Sequence, residues 1–335
     1  MDDHNMKDNL AAEGFAGAEP AVENLTAEDF DADGFMPEEG EGFQVLEDGM
    51  LPMMDERKRF LKIFFHRKTV AIGFGIFVAM LLLAVLAPVV APYDPYVQDL
   101  GNVLTGPAAN HLLGTDALGR DLLSRVIFGS RVAILVGMVC VVVSALIGVT
   151  IGLVAGFSSQ AVNSVIMRIT DAIMAIPGLI LILLIVAVFG SNIFAIILAV
   201  SLGMFPGYIR LVNGQVLSVR QNDYVLAELA MGAKHSRIIL THILPNVFSP
   251  LIVQMSMMLG GAIMSEAMLS FLGLGLAPPI AAWGRMCFDG QKYLSMRPLL
   301  SLAPGFMIML LVFSVNMVGD GLRDALDPRL RGTLG

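Results

Sequence analysis

The chain has 335 residues, is 56% hydrophobic and carries only 15% charged residues, whereas about a quarter of a soluble domain is charged. Its two cysteines, Cys140 in an apolar run and Cys287 in a later loop, argue against a disulfide framework or a zinc site. The net charge of −8 joins two unlike parts: residues 1–54 hold fifteen acids and one base, Lys7, and the rest holds fourteen acids and twenty bases.

The first part, with stretches such as ENLTAEDFDADGFMPEEGEG, has high charge, scattered Gly and Pro, and no sustained period. Too little apolar surface is available there to offset chain entropy, so residues 1–56 read as an acidic disordered tail. Phe15, Phe30, Phe35 and Phe43 mark either a short binding motif or nothing beyond a solvated segment. A secretory signal is not expected, because no basic start leads directly into an apolar core.

Six apolar runs follow, each near the roughly 20 residues a membrane helix needs: Val70–Ala91, Val132–Phe157, Ala172–Gly190, Ile193–Ile209, Val247–Gly275 and Leu299–Met317. Pro177–Gly178 in the third reads as a tolerated kink. Arg57, Lys58, Arg59, Lys62, Arg67 and Lys68 precede the first run. By the positive-inside rule they put the amino end in the cytoplasm, and six spans return the carboxyl end, with Arg323, Arg329 and Arg331, to the same side.

Between the fourth and fifth runs lies YVLAELAMGAKHSRIILTHILPN, Tyr224–Asn246. It is too polar to cross a bilayer and longer than the usual connection of about 4–6 residues. Asn222 or Asp223 can cap a helix running to Met231, and Gly232 breaks it. Ser236 can cap a second that ends before Pro245. Val225, Leu226 and Leu229 form one apolar side, and the small residues Ala227, Ala230 and Ala233 surround Gly232. Docking of a partner and an idle surface helix both fit this pattern.

Other segments have their own readings. In GTDALGRDLLSR, Thr115 or Asp116 can cap a helix that carries an Asp121–Arg125 ion pair at i,i+4. Leu118, Leu122, Leu123, Val126 and Ile127 then share a face that can lie in the outer interface. In APPIAAWG, Pro278 and Pro279 form a turn and Trp283 reads as an interfacial anchor. Glu266, with Ser265 and Ser270, is an ionisable group inside a span; it either lines a pathway or gate or serves as a structural hydrogen-bond partner. Asn316 and Asp171 are weaker candidates of the same kind. The many methionines read as packing before metal binding. No phosphate-binding GxxxxGK[ST], no HExxH and no GxSxG within a span occurs, and the five histidines are scattered.

Tyr224–Asn246 resembles the EAA loop of permease subunits of ATP-binding-cassette importers: Ala227, Gly232 and Leu244-Pro245 match. Leu226 stands in place of the family's glutamate, Glu228 in place of its second alanine, and His242 in place of an isoleucine. HLLGTDALGRDLLSRVIFGSRVAIL, SEAMLSFLGLGLAPPIAAWG and MVGDGLRDALDPRLRG, with DERKRF and APYDP, are similar to the second permease of dipeptide and oligopeptide importers, in order over residues 57–332. The resemblance implies an all-α polytopic bundle of six spans, the type I importer permease fold. It divides the chain into a tail (1–56), a first span with an outer interfacial segment (57–129), a permease core (130–319) and a carboxyl segment (320–335).

It implies a homologous second permease, two ATP-binding subunits, an extracytoplasmic binding protein and membrane lipid as partners, and no nucleic acid. The chain itself then carries no catalytic residue, metal or cofactor; ATP and magnesium reside in the partner ATPases. Ala227, Glu228, Ala230, Gly232, Ala233, Leu244 and Pro245 would dock the ATPase. Glu266, Ser265, Ser270 and Asn316 would line a pathway or gate, and Trp283, Pro278 and Pro279 would meet the binding protein. Nickel, glutathione or another peptide-like solute are alternative cargoes, and a self-contained channel is the alternative of another class.

Overall fold

A computed structural model describes residues 56–326; the expectations for the acidic tail and for Arg329 and Arg331 lie outside the described residues. Those residues are helical and contain no strand, only an isolated bridge between Thr115 and Asp121. In chain order the helices are α1 (Glu56–Phe64), α2 (Lys68–Val85), α3 (Ala87–Val90), α4 (Leu122–Phe157), α5 (Gln160–Met174), α6 (Gly178–Phe189), α7 (Ile193–Arg220), α8 (Asp223–Ala230), α9 (His235–Ile238), α10 (Leu244–Phe271), α11 (Trp283–Gly290) and α12 (Leu299–Leu326). A wide π-type turn, Ile239–Ile243, joins α9 to α10 without a break. Five helical stretches are long and apolar enough to cross a membrane: α2, α4, α7, His235–Phe271 and α12. A sixth results if the bent pair α5–α6 counts as one span.

In that pair the chain turns at Pro177 more sharply than a kink. α5 and α6 meet at 87°, with Pro177 at the N-cap of α6. Proline cannot donate to the preceding turn and pushes Ile176 out of the helical region. The twelve residues of α6 reach only about 18 Å, short of the roughly 30 Å hydrocarbon layer.

α4 is also longer than expected. Its 36 residues extend about 54 Å, so one helix runs through the expected boundary at residue 129, as α12 runs through that at 319. On α4, Gly148, Gly152 and Gly156 fall at intervals of four and lie against Tyr208, Val212 and Val216 of α7. A Cβ at any of the three would collide with α7, so the bare ridge is what brings the two backbones together.

Three apolar clusters stack along the bundle. Leu122, Val126, Trp283, Met286 and Leu300 pack at the end bearing the 91–121 and 272–298 loops. Val136, Cys140, Ile196, Val200 and Leu269 fill the middle. Val212, Val216, Val225, Ile238, Ile243 and Val247 close the opposite end, beneath α8.

Candidate functional site

α8 lies across that opposite end. Asn222 occupies its N-cap without a capping side-chain bond, and Asp223 in the first turn complements the helix dipole. Gly232 stops it at φ +82°: its N–H donates to the Leu229 carbonyl and that of Ala233 to the Glu228 carbonyl, both at 3.0 Å. These two bonds form a left-handed glycine cap. Val225 is fully buried in the cluster below and Leu229 packs against it. Leu226, expected on the apolar side, is half-exposed at 50%. Ala227, Ala230, Met231 and Gly232 form the outward face, while Ala233 is half-buried.

The second half of the segment departs from expectation in two ways. Lys234, not Ser236, is the extended residue that precedes α9. The helix does not end before Pro245 either; Pro245 sits in the first turn of α10, where a missing N–H costs least. The wide turn just before it absorbs the local mismatch. His235 to Phe271 is thus one helical rod, with Leu244 and Pro245 exposed at its foot.

Glu228 faces inward. Its Oε1 lies 2.9 Å from His242 Nε2 on the wide turn, and its Oε2 is buried without a partner among the described residues. Tyr224 stacks at a tilt on the same imidazole, with ring centroids 5.3 Å apart.

Toward the same end an open cavity of ≈ 900 Å³ lies between α7, α10 and α12, with Gln215, Asn246, Gln254 and Arg323 among its lining groups. None of the four pathway candidates lines it. Glu266 is 2% exposed and accepts a 2.7 Å bond from Ser270 Oγ. Ser265 bonds the Gly261 carbonyl at 2.8 Å and borders a separate, mostly apolar cavity with Leu179 and Met204. Asn316 packs on Gly260 across the α10–α12 contact. Asp171 is ion-paired with Arg210 at 2.5 Å. Of the groups lining the α7–α10 cavity, Arg323 and Asn246 stand in the sequence as a terminal base and a segment end, and Gln215 carries no signal there.

At the loop end, Trp283 corrects its assignment as interfacial anchor and binding-protein contact. It is 1% exposed, its indole N–H donates to the Val126 carbonyl at 2.8 Å, and its ring fills the space over Gly129. Pro278 and Pro279 are exposed. The expected cap and ion pair also differ. Asp121, not Thr115 or Asp116, caps α4 by accepting from Ser124 N at 2.8 Å, and its other oxygen meets His111 Nδ1 at 2.9 Å. Asp116 instead binds Arg120 at 2.6 Å and Arg125 at 3.6 Å. Leu118 precedes α4 and is exposed, so the expected interfacial helix over residues 118–127 does not form. Among the described residues no group of His, Cys, Asp or Glu is arranged to hold a metal.

Residues 148–332 match the family described as the inner membrane component of binding-protein-dependent transport systems. Residues 57–107 match the N-terminal transmembrane domain of oligopeptide transport permease C. The dipeptide transport system permease DppC of Alkalihalophilus pseudofirmus is 39% identical over 264 residues, covering 79% of this chain and 87% of that protein. The di/tripeptide permease DppC of Pseudomonas aeruginosa is 40% identical over 280 residues, 82% of this chain and 92% of that protein. The glutathione permease GsiD of Pectobacterium atrosepticum is 39% identical over 269 residues, 80% and 89% respectively. In fold, the chain is similar to an inward-facing MetNI methionine ABC transporter structure, with a TM-score of 0.50 and 19% identity over 62% of this chain and 96% of that one.

Proposed function

The chain belongs to the inner-membrane-component family of binding-protein-dependent transport systems, as a permease of the ATP-binding-cassette importer type and not an enzyme, and from that premise we propose that it carries di- and oligopeptides across a bacterial or archaeal cytoplasmic membrane. The peptide cargo is supported by the names of the relatives above. In this reading the basic residues before α2 hold both ends of the permease in the cytoplasm, which puts α8 and the ≈ 900 Å³ cavity on the cytoplasmic side. A homologous permease completes the path. An extracytoplasmic binding protein delivers cargo at the loop end, where Pro278 and Pro279 are exposed. Two ATPase subunits hold the ATP and magnesium.

The observation that carries this reading is the position of α8: a short helix across the foot of the bundle, outward-facing through small side chains, and followed by a rod that runs unbroken into the membrane. Small residues let a partner backbone approach closely. Ala227, Ala230 and Gly232 form the docking face, flanked by Ala233, Leu244 and Pro245, and Glu228 stands behind it. The cavity at the foot of α10 is the cytoplasmic mouth of the path, with Asn316 deeper in the α10–α12 contact.

Gly232→Asp tests the docking face, because it strains the cap and adds charge to the contact surface without meeting a neighbour within 4 Å. Loss of ATPase association is expected; normal association and transport would remove the docking assignment. Mass spectrometry of the complex purified in mild detergent tests the whole. Two ATPases, a second permease and peptide carried by a binding protein are expected. Glutathione would change the cargo within the same architecture, and recovery of this chain alone would remove the importer complex.

A further inference from the structure

We infer that Glu228 and His242 form a clasp that locks α8 to the foot of α10, so that the two move as one piece. The inference deepens the docking reading and rests on it for its functional meaning. The two residues are fourteen positions apart and meet at 2.9 Å. Each is mostly buried, so the polar group of either would be less well satisfied without the other.

The rest of the geometry shows what such a clasp does. α8 is linked to the rod by Met231–Lys234, whose pivot Gly232 has φ +82° and no neighbour within 4 Å of an added Cβ. Otherwise α8 is held mainly by Val225 and Leu229 in an apolar seat. Apolar contact is non-directional, so it resists lifting better than rolling. The Glu228–His242 bond supplies the direction. On one side the carboxylate has no other side-chain partner, since Oε2 is buried and unpaired. On the other, the imidazole is held in place: Tyr224 packs on its face, and the His242 carbonyl accepts from Asn246 Nδ2 at 2.7 Å, tying the wide turn to the first turn of α10. A push on α8 therefore reaches α10 through this bond as well as through the apolar seat.

Spin labels at the exposed positions Leu226 and Phe248 report the distance between α8 and α10 by pulsed electron resonance. The chain is measured in lipid nanodiscs, alone and with its ATPases in nucleotide-free and vanadate-trapped states. The native pair is expected to give one narrow distance in every state. Glu228→Ala and His242→Ile should each broaden it, with an unclasped population raised about fivefold, as loss of one partly exposed charge-assisted bond implies. The double variant lacks the same single bond and should be no broader than either single variant. His242→Gln, which keeps an N–H donor at the Nε2 position, should stay near native. Single variants as narrow as the native chain would overturn the clasp, and so would a double variant whose broadening is the sum of the two singles. Should Glu228→Ala not assemble, His242→Gln against His242→Ile decides, equal broadening in both overturning it. Failure of the native chain to bind ATPases would remove the docking reading alone, because the label pair still reads the clasp in the isolated chain.

Discussion

The two ends of the bundle are built on opposite plans. The loop end is tied across long stretches of sequence: Arg297 to the Leu104 carbonyl, Arg125 to the Pro95 carbonyl and Trp283 to that of Val126, at 2.8, 2.9 and 2.8 Å. Arg120, Arg125 and Asp121 are all buried there, and each has a partner. At the α8 end one short helix rests on a small apolar seat and its main polar tie is Glu228–His242. Regions that must move or meet a partner come from the weakly tied parts of a fold. The contrast therefore assigns stability to the loop end and transmission to the α8 end, and substitutions at the two ends should fail differently.

The largest effect is expected at Trp283. Trp283→Ala empties a fully buried site over Gly129 and removes the donor to the Val126 carbonyl, at a cost of about 3–5 kcal/mol. A marked drop in the thermal melting temperature in detergent is the expected readout. A melt within a degree of native would break the contrast at its strongest point.

Arg125→Ala comes next. It strips Asp116 of one of two guanidinium partners and leaves the Pro95 carbonyl unpaired. Breaking a buried pair costs about 3–5 kcal/mol. Because Arg120 stays on Asp116 at 2.6 Å, the lower end of that range is expected, read by the same melt.

At the other end the sign of the contrast reverses. Ala227→Leu places bulk on an exposed face, so stability should stay within about 0.5 kcal/mol of native, while association with the ATPases falls, as measured by co-purification. Loss of folding with association intact would exchange the roles given to the two ends.

The sequence made the spans legible because hydropathy over twenty residues needs no knowledge of partners, and the glycine cap of α8 because Gly232 acts within its own turn. What escaped it depends on residues far apart in the chain. Trp283 near the end of an apolar run fits an interfacial anchor until Gly129 is seen beneath it. Asp121 and Arg125 have helical i,i+4 spacing, but α4 begins only at Leu122, which frees Asp121 to cap and turns Arg125 to Asp116. Glu228 and His242 are separate departures in sequence and a contact only in space. Pro177 was seen, but whether a proline bends a helix or ends it is decided by what packs on either side.

The smallest effect probes the rigidity of the loop end directly. Cys287 in α11 is half-buried, with Sγ 3.4 Å from the Ser301 carbonyl, and burial pushes its thiol up to about 11. The thiolate is the reactive form. At pH 8 a group of that pKa is about one part in a thousand ionised, against roughly a quarter for an ordinary cysteine near 8.5. Maleimide labelling of Cys287 in the folded chain should therefore be hundreds of times slower than in denaturant, and should speed about tenfold for each pH unit up to 11. Equal rates in the two conditions would mean that α11 opens freely, and a loop end that opens freely cannot be the fixed frame against which α8 and α10 move.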